Sequence, residues 1–429
     1  MSVLHRFALG LSVSIAMFAS PSNGQDDHAS SPYVRVEDAD DGDRTLLKIS
    51  SRVLRKKDGT GPEVHLVGVV HIGDGAYYRE LQTYLDSLDL VLFEGVKPGG
   101  MGDAGADAPA DDAAKIKLTQ SRIRMLAMYF ERAKSSGGDY PASIDALIAS
   151  MKGTPARLLG AARTDAWGRE ILLERSNTRI LEGERELWAG EEFDFISRGE
   201  DGREGGSDAA ADLRFSDQKP LTKRERTSGS EGIQPKLARA LGLEFQLAAM
   251  DYTRDRWRNS DMTIDQVQAR MKEEGVDPGA LFAMLDGGGI GGKVIGMMLG
   301  FIERDPAMST MVKTMMVETL ANADAMMEQQ PGDMGKMMKV IVVDRNEVVL
   351  DDLKKVLENE TQLKSVALFY GAGHLPHLEQ RLTEDFGFEF VSDRWFTAID
   401  VDLAKIPGAK AQSKRMREMV RGMSKQKKD

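Results

Sequence analysis

A chain of 429 residues with 41% hydrophobic and 29% charged side chains has ample apolar material for a packed core, and it is longer than one ordinary core supports. Its formal net charge of -11 argues against a dedicated nucleic-acid binder, which would show a basic face. It holds no cysteine, which excludes thiolate metal sites, a cysteine nucleophile and disulfides.

Residues 1–24 read as a secretory signal. His5 and Arg6 precede an apolar run from Phe7 to Phe18, and Ser22-Asn23-Gly24 offers small residues for cleavage. The run is shorter than the roughly 20 apolar residues of a spanning helix, so cleavage is favoured over an anchor. No other stretch is long and apolar enough to span. The mature chain is therefore expected in a periplasm or outside the cell.

Residues 25–44 are acidic and polar and read as disordered. Thr45–Arg55 and Glu63–Val70 read as strands, Ala76–Leu88 as a helix and Leu90–Glu94 as a short strand. Continuous apolar strands alternating with helices imply an α/β (α+β) fold with a mixed, partly parallel sheet flanked by helices. The low-complexity stretch 99–112 reads as a linker. A separate α+β unit follows at 113–214, opened by a long helix over Ala113–Ser135, and 215–231 is a second polar linker. The α/β pattern then resumes, so the middle unit is an insertion into a discontinuous domain, 45–98 and 232–402.

Gln234–Leu241 is predicted helical and Phe245–Asp251 as a strand. Thr263–Gly275 and Pro278–Met338 are predicted helical, broken by glycines at 287–292. Twelve of the 24 methionines lie in 284–338, as a pliable groove or, by the favoured reading, the buried face of a helical subdomain. Val340–Val343, Val366–Tyr370, Phe388–Val391 and Phe396–Val401 read as strands. The tail 403–429 carries nine Lys/Arg against two acids and reads as solvated, with an anionic surface as the alternative contact.

Four polar residues follow strong strands: His71, Glu94, Arg345 and His374. Groups at the carboxyl ends of parallel strands converge on one crevice. Two imidazoles and a carboxylate suit a catalytic divalent ion with an open position, and such an ion acidifies bound water. Arg345 would hold a substrate carboxylate or a developing oxyanion, or simply pair with Glu94. His65 reads as structural and His377 as either a third imidazole or an exposed helix residue. His5 and His28 lie outside the ordered fold.

Gly68-Val-Val-His71, Glu94 after Leu-Val-Leu-Phe, Asp344-Arg345-Asn346 and Tyr370-Gly-Ala-Gly-His374-Leu-Pro together resemble the TraB/PrgY/GumN family, which includes the TIKI proteins. The resemblance covers about 45–98 and 232–402. It implies a metal-dependent hydrolase of the manganese, cobalt or zinc kind, with His71, Glu94 and His374 as ligands and Arg345 completing the catalytic set. The substrate it implies is a peptide or a similar amide or ester. Other members look like non-catalytic regulators that quench peptides, so binding without turnover is the alternative.

The inserted unit carries Gly138-Asp139-Tyr140-Pro141, Asp165-Ala-Trp167-Gly168-Arg169 and the loop Ser197–Asp212. It resembles the globular head of the type II secretion major pseudopilin, protein G. That resemblance implies a long helix on a small antiparallel sheet, with calcium in the last loop held by Asp201, Ser207, Asp208 and Asp212. The unit departs from the pattern at Ala166, where proline is usual, and it lacks the apolar assembly half-helix. A docking or recognition role toward secretion or envelope proteins is therefore expected rather than polymerisation.

Overall fold

A computed structural model describes residues 33–95, 111–151, 153–182, 185–221, 226, 233–252, 254–277, 299–321, 333–411, 413–415 and 418. The signal segment, the first linker up to residue 110, the glycine cluster at 287–292 and the end of the basic tail lie outside these residues. Two compact units divide the chain: 1–96, 232–262 and 266–429 form the first, and 97–231 with 263–265 the second.

In chain order the strands are β1 (Val34–Ala39), β2 (Arg44–Lys56), β3 (Glu63–Val69), β4 (Ile72–Gly73), β5 (Leu90–Phe93), β6 (Leu172–Glu182), β7 (Arg185–Ser197), β8 (Leu213–Arg214), β9 (Glu244–Phe245), β10 (Trp257–Asn259), β11 (Ser365–Gly371) and β12 (Phe388–Asp402). The helices used below are α1 (Gly75–Asp86), α2 (Asp112–Gly137), α3 (Ile144–Ser150), α4 (Gly153–Ala161), α5 (Gln246–Ala249), α6 (Ile264–Glu273), α7 (Asp333–Met338), α8 (Arg345–Asn359) and α9 (Leu375–Glu384).

The first unit is built on one mixed sheet of order β1-β2-β3-β11-β5-β10, with β12 also paired to β2. The strands β3, β11, β5 and β10 run parallel, and β1, β2 and β12 add an antiparallel part. Of the parallel strands, β5 and β11 are apolar without alternation, as burial on both faces requires: Val366, Ala367 and Leu368 in β11 are fully buried, as are Val64, Leu66 and Val67 in β3. The chain's last parallel strand, β11, enters between β3 and β5, so the ends of strands from distant sequence become neighbours. Gly68 has no room for a side chain. A Cβ there would sit 2.9 Å from Ile49 Cγ2 and 3.1 Å from Leu375 Cδ1.

The second unit has its own core. The long helix α2, capped by the Asp111 carboxylate accepting from the Ala114 N–H at 2.8 Å, packs with α3, α4 and the three-stranded antiparallel sheet β6-β7-β8. Ile123, Leu126, Phe130, Leu147 and Phe195 are fully buried there. Phe130 meets Phe195 edge to face at 5.4 Å.

Several sequence expectations need correction. The segment 25–44 is not wholly disordered, because Val34–Ala39 forms β1 against β2 and Tyr33 is fully buried. The linker at 215–231 starts too early, since Phe215 donates its N–H to the Phe195 carbonyl and Leu221 is buried in the second core. Within Phe245–Asp251 only Phe245 belongs to a strand, the two-residue β9 that begins at Glu244, and the short helix α5 follows. Val340–Val343 is no strand but part of a π-helical turn, Lys339–Asp344, joining α7 to α8. Its apolar run packs against Met262, Val267 and Met271, so tertiary contact overrides β propensity. Phe388–Val391 and Phe396–Val401 are one strand, irregular between Phe390 and Ser392 and between Thr397 and Ile399.

Candidate active site

Three parallel strands present their carboxyl ends side by side. Val69 is paired with Gly371 and Phe93 with Phe369, so the residues just beyond, His71, Glu94 and His374, share one end of the sheet. The backbone fixes these exits: Glu94 N–H donates to Phe369 O and Ala372 N–H to Val69 O, both at 2.9 Å. Arg345 arrives differently from its expected strand end. It opens α8 and is 4% exposed.

Glu94 is the hub. Its Oε1 accepts from Arg345 Nη2 at 2.7 Å and lies 3.6 Å from His374 Nε2, and its Oε2 accepts from the Gly371 N–H at 2.7 Å. Burial resists ionisation of Glu94, but Arg345, His374, His71 and the Gly371 N–H outweigh it and hold the carboxyl well below its usual range. Burial alone would drain charge from Arg345, yet Glu94 and Asp261 keep its guanidinium ionised. His374 is fully buried. Burial pushes its ring down to about 4 against the pull of Glu94, so at neutral pH it carries a lone pair rather than a charge.

Asp261 was not anticipated from the sequence. It takes Arg345 Nε on Oδ1 at 2.9 Å and Nη2 on Oδ2 at 2.6 Å, and it receives the Gly95 N–H at 2.8 Å. It lies two residues beyond β10. The strand-end rule that found Glu94 also fits Asp261, but a three-residue strand leaves no periodicity to read. Arg345 Nη1 donates to Ile341 O at 3.3 Å. The guanidinium is thus spent on the protein, which matches the pairing alternative rather than capture of a substrate carboxylate.

The two histidines are each held from behind. His71 Nδ1 lies 2.8 Å from Gln246 Oε1, and Gln246 Nε2 donates to Tyr252 OH at 2.8 Å. His374 Nδ1 lies 2.7 Å from Asn346 Oδ1. Gln246 opens α5 and is 5% exposed, where the sequence had suggested a plain strand. His71 is close enough to Glu94 and His374 to act electrostatically on both. His377 is neither a third member nor an exposed residue: it is partly buried, with Nδ1 3.1 Å from Asn346 Nδ2.

His374 Nε2 is buried without a hydrogen-bond partner, an arrangement that costs about 1–3 kcal/mol. Beside it, two carboxylates, Glu94 and Asp261, face one guanidinium, so the cluster carries one net negative charge. Two donor atoms sharing one ion at ordinary bond lengths stand roughly 3–3.5 Å apart, close to the Glu94–His374 separation. The donor chemistry therefore fits a divalent cation, although among the described residues no group of three His, Asp or Glu stands ready to enclose one.

In the second unit the four expected calcium donors differ in their surroundings. Asp201 Oδ1 accepts from the Arg203 N–H at 2.9 Å, and Asp208 is exposed, with φ of 54°. Ser207 is exposed too, its carbonyl taken by the Ala210 N–H. Asp212 Oδ2 lies 3.4 Å from Arg214 Nη2 and 3.9 Å from Arg198 Nη1, while its Oδ1 is buried without a hydrogen-bond partner.

Comparison of the chain with family models, with curated proteins and with solved structures gives no match.

Proposed function

We propose that the chain is an exported, metal-dependent hydrolase of a peptide or a similar amide or ester. The observation that supports this most is the buried acceptor pair, His374 Nε2 beside Glu94 Oε1, within a cluster of net negative charge. His71, Glu94 and His374 would hold the ion, of the manganese, cobalt or zinc kind, and the ion when bound supplies Lewis acidity and an acidified water. The chain's own residues do the rest. Glu94 stays ionised and serves as an anionic donor rather than a proton donor. Arg345 aims and holds Glu94, and Asp261 holds Arg345. Gln246 and Asn346 orient the two rings from behind, as outer partners of ligand histidines do.

Elemental analysis of purified protein and peptidase assays with and without chelator test the proposal. Stoichiometric divalent metal is expected, with activity lost on chelation and reduced at least about 100-fold in His71→Ala and Glu94→Gln. Protein free of metal whose activity survives both substitutions would end it.

A second reading, a peptide-binding protein without turnover, is favoured by Glu94 already accepting from both Arg345 and Gly371. Recovery of a tightly bound peptide intact would select it. For the second unit we propose docking toward secretion or envelope proteins, with calcium ordering loop 197–212 through the unpartnered Asp212 Oδ1. No helix among the described residues is long and apolar enough to cross a membrane.

A further inference from the structure

We infer that Asn346 is a positioning residue that fixes His374 in the Nδ1-protonated tautomer, and thereby decides which ring nitrogen faces Glu94. Asn346 is fully buried in the first turn of α8, next to Arg345. Its carboxamide touches His374 twice. Asn346 Nδ2 donates to the His374 main-chain carbonyl at 3.0 Å, and Asn346 Oδ1 lies 2.7 Å from His374 Nδ1. A carbonyl oxygen only accepts, so the NH2 end must face it. The reversed amide would set two oxygens against each other at that distance.

With the amide orientation fixed, Oδ1 is an acceptor and His374 Nδ1 must carry the proton. The second Asn346 Nδ2 hydrogen reaches His377 Nδ1, 3.1 Å away, which accepts. Nε2 of His374 is then left with a lone pair, 3.6 Å from a carboxylate oxygen that also only accepts. The opposite tautomer would donate from Nε2 to Glu94 and close the pair to any cation. Asn346 therefore keeps the pair open, and the sequence shows how economically: consecutive residues at the start of one helix hold the carboxylate and the imidazole.

The tautomer stands on geometry alone, whereas its consequence for cation binding rests on the hydrolase reading. The test uses metal-free, histidine-15N-labelled full-length protein, with His374 assigned through a His374→Gln variant. Expected for the wild type is a protonated Nδ1 and an unprotonated Nε2. Asn346→Leu removes the acceptor, and its His374 is expected to shift toward the Nε2-protonated form, with Zn2+ binding weakened roughly 10- to 100-fold. Asn346→Asp keeps an acceptor toward Nδ1 and, with its other oxygen protonated, still donates to the His374 carbonyl, so it is expected to keep the wild-type tautomer. A wild-type His374 protonated at Nε2 overturns the inference, as does a folded Asn346→Leu variant with an unchanged ring. If Asn346→Leu does not fold, the wild-type and Asn346→Asp spectra decide. The expected tautomer in a wild type that does not bind Zn2+ supports the inference and counts against the hydrolase reading alone.

Discussion

Arg345 balances two buried acids, so its loss is costly twice over. A guanidinium removed from between Glu94 and Asp261 leaves both carboxylates desolvated and facing each other, and breaking a buried pair in this way costs about 3–5 kcal/mol. Arg345→Met should lower the urea midpoint accordingly, or leave the chain unfolded. His65 offers a separate handle on pH. Burial holds its pKa below the ordinary 6.5 against the pull of Glu63, and its Nδ1 is 2.6 Å from Tyr84 OH. The folded ring refuses a proton that the unfolded ring accepts. Its contribution is therefore complete above 6.5 and is lost as the pH falls below that value. Comparing urea midpoints of wild type and His65→Gln between about pH 8 and about pH 5 should show a shallower decline in the variant.

The close approach of β3, β2 and α9 at Gly68 makes the strand intolerant of even a methyl group. Gly68→Ala should cost about 1–3 kcal/mol, read by thermal or urea denaturation. Long elements such as β2 and α2 were legible because their patterns persist over many residues. Val340–Val343 was not, because four β-branched residues in a row look alike whether buried by a sheet or by a helix. His71, Glu94 and His374 were legible as polar residues ending apolar strands. Asp261, Gln246 and Asn346 were not, since what recruits them is proximity across the fold. In the second unit, calcium is expected to raise the melting temperature by a few degrees and Asp212→Asn to abolish the rise. A temperature indifferent to both calcium and chelator would count against the ion. Gly206 belongs to the same loop: its φ is 90°, and a Cβ there would collide with Ala210 O.

At the scale of the whole molecule, each unit has a hydrophobic core of its own, one around the mixed sheet and one around α2. Calorimetry should accordingly show two transitions, and Gly68→Ala should lower only the one belonging to the first unit. The pairing of β3 with β11 has a consequence for biogenesis. Residues 63–69 wait for residues 365–371, whereas β6, β7 and β8 find one another within 172–214. Because the chain emerges amino end first, from a ribosome or through an export channel, the second unit can finish while the first still lacks its middle strand. Until then β3 and β5 present raw edges to other chains, which makes this interval the one in which a chaperone is most needed and a protease most effective.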